Sequence, residues 1–386
     1  MNRLLKPLPL LLMMSLLCVL GAFLAPVTEK LFSLLLDILL AFLFAIFVHE
    51  SGHLLVGLSF GLKPEEMIVG PFRLLFTGRT LSFQPNKNWQ RFGGTMRFSP
   101  RSTKLTEIAR KWSWMALGGP AFSLLTALLI LVIHRSSHPL TELFIGFSFA
   151  LGAATLVPLT NGVNPSDGKL FMLLRQRSAR AERLMAGVIL QKSYLSEKRP
   201  REWNSEVIAS AARLLNDLSE RSPEQLAEEA ELRMYLYLHF ADTGQPEDAL
   251  TYIRPISQSN HPIASNPVTR LMIDSLYACH LLLNPSGSHI QGNAQAIVEA
   301  MPDKEPYSYH KAWAALMSVQ GENEKAAKHL SQARSLLERW FKPFGTYHLD
   351  KRSYLVSKDC LIQHLATKPT SKNPLPRIRD NGFLFR

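Results

Sequence analysis

Four apolar runs, separated by polar or basic stretches, organise the first 160 residues. They cover Leu8–Ala25, residues 31–62, residues 112–133 and residues 140–160. A helix needs about 20 apolar residues to cross a hydrocarbon core, so the pattern predicts about four transmembrane helices. The first run follows Arg3 and Lys6 and has small residues at Gly21 and Ala22. It reads either as a cleaved signal peptide or as a retained first helix, and the apolar span that follows at once favours the helix. The second run is longer than one crossing requires; tilt, or a break near Gly52 or Gly57, would absorb the excess. Between the second and third runs, PFRLLFTGRTLSF alternates as two short strands around Thr77-Gly78. Residues 93–98, GGTMRF, form a further candidate strand. Such a sheet edge could take an extended peptide by strand addition, or the segment could be a loop lying on the lipid surface. From about residue 177 the chain is polar, basic and helical in pattern.

Charge sets the expected orientation. Residues 63–111 carry ten Lys or Arg against three acids, which places this loop on the cytoplasmic side. The short connections at residues 26–30 and 134–138 then lie outside. The net charge is +12, but no basic recognition helix or RNA-binding module accompanies it, so nucleic acid is not an expected partner. The excess instead suits cytoplasmic segments beside anionic lipid. Cys18, Cys279 and Cys360 are too few and too scattered for a disulfide framework or a thiolate metal site.

The chemistry lies inside the second apolar run. It contains His49-Glu50-Ser51-Gly52-His53, a His-Glu-x-x-His pattern. On a helix, positions four apart share a face, so both imidazoles can reach one metal ion. Glu50, beside that face, can take a proton from water, and Gly52 is expected to leave the helix surface open beside the second ligand. Ionisable groups at membrane depth are costly and mark function. The third ligand is expected on the same membrane side. Asp167, the only acid between Glu142 and Glu182, falls just past the fourth span in VNPSDGK. Two neutral imidazoles and one carboxylate would complete a zinc site with a position left for water. Asp167 could instead cap a turn or helix before Gly168. Glu182 and Glu197 are alternative acids without a matching motif, and Asp37 lies several turns from His49.

With these residues, the chain resembles the site-2 protease family of intramembrane zinc metalloproteases. The resemblance spans residues 31–176 and rests on the His-Glu-x-x-His helix, Gly93-Gly94-Thr95-Met96, Gly119-Pro120 and Asn164-Pro165-Ser166-Asp167-Gly168. It implies that His49, His53 and Asp167 bind zinc, that Glu50 is the general base, and that the substrate is a membrane-spanning or membrane-associated segment. Ser123 stands where family members often place an Asn that contacts substrate or the oxyanion. Ser123 and Asn164 are therefore candidates for that role. Ser166 is an insertion in the family's acidic motif, and the loop at 63–111 is too short for an inserted PDZ-like domain.

The C-terminal half repeats a pattern. Segments starting at Met234 and Ala312 each join an aromatic-rich helix, a Gly turn (Gly244, Gly321) and a second helix with a small residue, Ala249 or Ala326. This resembles tetratricopeptide repeats, with one diverged repeat between the two and a short insertion around Asn284–Gly292. Such a domain implies a protein partner on its concave face. The expected fold class is thus mainly α: a polytopic membrane domain (residues 1–176) with a small β-hairpin region, then a cytoplasmic helical domain (177–367) and a basic, poorly ordered tail (368–386). An alternative reading is an inactive family member acting as a membrane scaffold.

Overall fold

The computed structural model describes residues 6–24, 29–78, 80–133, 138–161, 164–215, 223–258, 267–283 and 288–349. The basic tail and Cys360 lie outside the described residues. The chain divides into two compact units, Met1–Glu182 and Arg183–Arg386.

The first unit is built on helices α1 (Pro7–Leu24), α2 (Glu29–Ser59), α3 (Leu105–Ile133) and α4 (Pro139–Leu156). Three of the four expected spans, α2, α3 and α4, are long and apolar enough to cross a membrane; the apolar segment of α1 is shorter. Their surfaces are inverted relative to a soluble bundle. Phe44, Leu125 and Phe149 are each about 60% exposed, while His49, Glu50, Ser113, Ser123 and Ser148 are buried. Apolar side chains outside and polar ones inside suit helices whose solvent is lipid.

Helix α2 runs without interruption through Gly52 and Gly57. Gly52 does not leave an open surface beside His53, as the sequence implied. A Cβ there would strike the backbone of Gly118, and a Cβ on Gly118 would come 2.6 Å from the Gly52 carbonyl oxygen. The two glycines face each other across the α2–α3 contact and let the backbones touch.

Between α2 and α3 lies a four-stranded antiparallel sheet in the order β3-β2-β1-β4. Its strands are β1 (Lys63–Val69), β2 (Phe72–Thr77), β3 (Thr80–Pro85) and β4 (Thr95–Ser99). The β2–β3 hairpin forms where alternation placed it, with Thr77 opposite Thr80. Strand β4 starts after Gly94, which is held at φ +108°. Strand β1 was not legible, because its opening Lys-Pro-Glu-Glu hides the alternation. Register assigns the two faces. Met67, Leu74, Phe83 and Met96 align on one; Met67, Leu74 and Met96 pack around Ile46 of α2. Glu66 and Arg97 align on the other.

After α4, a two-residue ladder pairs β5 (Thr160–Asn161) with β6 (Asn164–Pro165). It leads into α5 (Asp167–Arg175), which packs on α3. Arg175 lies 5.1 Å over the Trp114 ring, holding the far end of α5 to α3.

The second unit is helical. It contains most of α6 (Ala179–Tyr194), then α7 (Ser205–Leu215), α8 (Pro223–Asp242), α9 (Pro246–Ser257), α10 (Pro267–Leu283), α11 (Ser288–Glu299), α12 (Pro306–Val319) and α13 (Asn323–Trp340). Helices α8 and α9, α10 and α11, and α12 and α13 pack as successive pairs. Gly244 (φ +82°) and Gly321 (φ +78°) turn the first and last pairs, a backbone state that glycine adopts without strain. Ala249 and Ala326 are fully buried, as the sequence pattern required for close helix contact.

The glycine contact yields a stability test. Gly52→Ala gains about 1 kcal/mol of helix propensity but overpacks the α2–α3 contact at a cost of about 1–3 kcal/mol or more. The expected result is a lower midpoint in a thermal melt of the detergent-solubilised protein. An unchanged or raised midpoint would show that the helices do not depend on this contact.

Candidate metal centre

His49 and His53 project from one face of α2 toward α3 and the start of α5. Their Nε2 atoms are 3.3 Å apart. The Asp167 Oδ2 lies 3.2 Å from His49 Nε2 and 3.5 Å from His53 Nε2. These three residues form a group able to hold a metal ion.

Each imidazole is held from behind. His53 Nδ1 donates to the Met115 carbonyl oxygen at 2.8 Å. That leaves Nε2 unprotonated in a neutral ring, the form a metal requires. His49 Nδ1 lies 3.1 Å from the Ser123 hydroxyl, and Ser123 is fully buried. With Ser123 accepting, His49 likewise presents Nε2.

Room at the ligand atoms comes from Gly119. A Cβ at this position would lie 2.7 Å from His49 Nε2 and closer still to His53 Nε2. The Gly-Gly-Pro patch thus does two jobs: Gly118 sets the helix contact, and Gly119 keeps the space between the imidazoles clear.

Asp167 reaches the histidines because of how its helix starts. Ser166, not Asp167, is the N-cap, accepting from the Lys169 amide. Its hydroxyl also donates to the Val157 carbonyl oxygen at 2.6 Å and accepts from the Leu159 amide at 3.1 Å. The inserted serine therefore ties the turn to the end of α4 and leaves the Asp167 carboxylate for the imidazoles. Gly168 allows the approach, since a Cβ would lie 2.6 Å from the Leu156 carbonyl carbon and closer to its oxygen.

Glu50 is 5% exposed, and its Oε2 has no hydrogen-bond partner among the described residues. It abuts Gly94, where a Cβ would stand 3.0 Å from the carboxyl carbon. An orphaned buried carboxylate oxygen is costly, and one beside three metal-type ligands suits a proton acceptor. The donor set, the space at Gly119 and this unused oxygen all fit a zinc ion with an activated water.

An open cleft of about 380 Å³ leads to these residues, walled by Gly93–Met96, Trp112, Met115, Leu151, Thr155 and Leu170. Strand β4 therefore runs along one side of the site. Thr155 was not singled out in the sequence; as a polar residue in an apolar helix, it carried a weak signal. Of the two candidates for substrate contact, neither lines the cleft. Ser123 lies behind His49, and Asn164 pairs with Asn161 in the short ladder.

The family model of peptidase family M50 matches residues 37–347, which include both histidines, Glu50 and Asp167. Comparison with curated proteins and with solved structures gave no match.

The position of Ser123 has a measurable consequence. Ser123→Ala removes the acceptor that orients His49 and is expected to weaken zinc binding about 10–100-fold, read by competition with a chromogenic chelator. Ser123→Thr keeps a hydroxyl and should retain most of the affinity. Equal affinity in wild type and Ser123→Ala would remove Ser123 from the centre's support.

Proposed function

The chain belongs to peptidase family M50, and from that membership and the geometry of its site we propose that it is an intramembrane zinc metalloprotease. The observation that carries this reading is the convergence of His49, His53 and Asp167 beside Glu50 with its unused oxygen. His49 Nε2, His53 Nε2 and an Asp167 oxygen would hold the zinc. When bound, zinc supplies Lewis acidity, acidifying water and polarising a carbonyl. Glu50 accepts the proton of the attacking water and delivers it to the leaving amine.

The substrate is a membrane-spanning or membrane-associated segment, presented in extended form near the cytoplasmic face. A helix hides its amides in its own hydrogen bonds, so attack requires local unwinding. Strand β4, with Thr95 and Met96 in the cleft wall, supports a reading in which an unwound segment lies beside it and pairs with the sheet edge. The positive-inside bias of residues 63–111 supports a cytoplasmic orientation of the site and of the C-terminal unit. The helix pairs α8–α9, α10–α11 and α12–α13 support a tetratricopeptide-like domain that recruits a protein partner.

Two variants test the assignment. Glu50→Gln is expected to keep one zinc per chain and lose at least about 100-fold in cleavage of a membrane substrate, the range for loss of general acid–base catalysis. Asp167→Ala is expected to lose the zinc itself after dialysis against a weak chelator, read by elemental analysis. Full cleavage by Glu50→Gln would overturn the protease mechanism, and normal zinc in Asp167→Ala would move the third ligand elsewhere.

A further inference from the structure

We propose that the polar face of the β1–β4 sheet docks anionic phospholipid headgroups through Arg73, Arg91 and Arg97. This does not depend on the proposed protease activity; it concerns a surface outside the metal centre.

Three observations carry it. The first is a surplus of charge held in place. Glu66 is 3% exposed and pairs with all three arginines: Arg73 by its Nε, Arg97 Nη1 at 3.3 Å and Arg91 Nη1 at 3.5 Å. One carboxylate against three guanidiniums leaves two positive charges. The arginine side chains are 38%, 32% and 44% exposed, so they are anchored at one edge and open at the other. Guanidinium groups so arranged suit phosphate oxygens.

The second observation is the sheet's amphipathicity. The face opposite Glu66 is apolar, packs on α2 and continues outward to Leu81 and Phe83 on edge strand β3, both more than 60% exposed. An apolar face with a basic face behind it is the pattern of an element lying in a membrane interface.

The third observation is depth. Helix α2 has 31 residues, about 46 Å at 1.5 Å per residue, against a hydrocarbon core of about 30 Å. The apolar run extends from Leu31 to Leu62 and ends where strand β1 begins at Lys63, so the sheet starts at the inner end of the span. Met67, next to Glu66, packs against Ile46 with Leu54 beside it. The guanidiniums are therefore carried by a sheet that starts where the apolar run ends, and long arginine side chains reach from there toward phosphates. An acidic peptide would meet the same charges but would leave Leu81 and Phe83 uncovered, whereas a bilayer covers both faces of this surface at once.

The test uses the full chain in nanodiscs of phosphatidylcholine doped with a minor fraction of acyl-brominated phosphatidylglycerol or acyl-brominated phosphatidylcholine. Trp89, two residues from Arg91 and partly exposed, reports nearby bromine by quenching; Trp89→Phe isolates its signal. The variant is Arg91→Gln/Arg97→Gln, which keeps Arg73 as partner for the buried Glu66, and its zinc content checks the fold. The expected result is stronger quenching by the brominated phosphatidylglycerol in wild type. In the variant with normal zinc, local enrichment should fall about fivefold per lost arginine. Equal quenching by the two lipids in wild type would overturn the proposal, as would full selectivity in the variant. Selectivity that appears only for a soluble acidic peptide, in discs of phosphatidylcholine alone, would overturn it in favour of a peptide site.

Discussion

The contact between Gly52 of α2 and Gly118 of α3 is the constraint on which the first unit depends. Two helices in lipid gain little from hiding apolar surface, because the solvent is equally apolar. Their association rests on close packing, and here the backbones touch because neither residue has a Cβ. That approach brings the next residue, Gly119, up to both imidazoles, and brings Met115 and Ser123 within hydrogen-bonding range of their Nδ1 atoms. A helix pair a few tenths of an ångström wider would lose both supports together.

The polar content of the bundle is expensive, and the structure answers the cost group by group. His53 is satisfied by a backbone carbonyl and His49 by a buried hydroxyl, while both Nε2 atoms and the Asp167 oxygen converge as acceptors, an arrangement that a cation would satisfy. Glu50 Oε2 alone in this group is left without a partner. A fully satisfied carboxylate would be a poor proton acceptor, so the imbalance falls on the residue whose chemistry needs it.

The sheet after α2 serves two surfaces. Its β4 strand supplies Gly94, Thr95 and Met96 to the cleft, while Glu66 and its arginines face the other way. Period-2 alternation puts Met96 and Arg97 on opposite faces: a one-residue slip of β4 would exchange them and put a guanidinium against Ile46. The bulge between Pro64 and Glu66 where β1 meets β4 sets that register.

Much of this was legible in the chain itself, and the physical reason is locality. The apolar runs, the i, i+4 histidines with Glu50 between them, the β2–β3 hairpin and the glycine turns of the C-terminal helix pairs depend on residues close in sequence. Periodicity and turn chemistry report such features directly. Asp167 could be chosen only by topology, as an acid on the expected membrane side, and β1 was hidden by Glu66, a polar residue that its arginines allow to be buried. What the tertiary structure alone decided were contacts between distant segments: that Gly52 closes a helix crossing rather than opening a surface, that Ser123 stands behind His49, that Ser166 takes the cap and leaves Asp167 to the imidazoles. Each depends on where a second backbone lies within a few ångströms, and no spacing along one segment carries that distance.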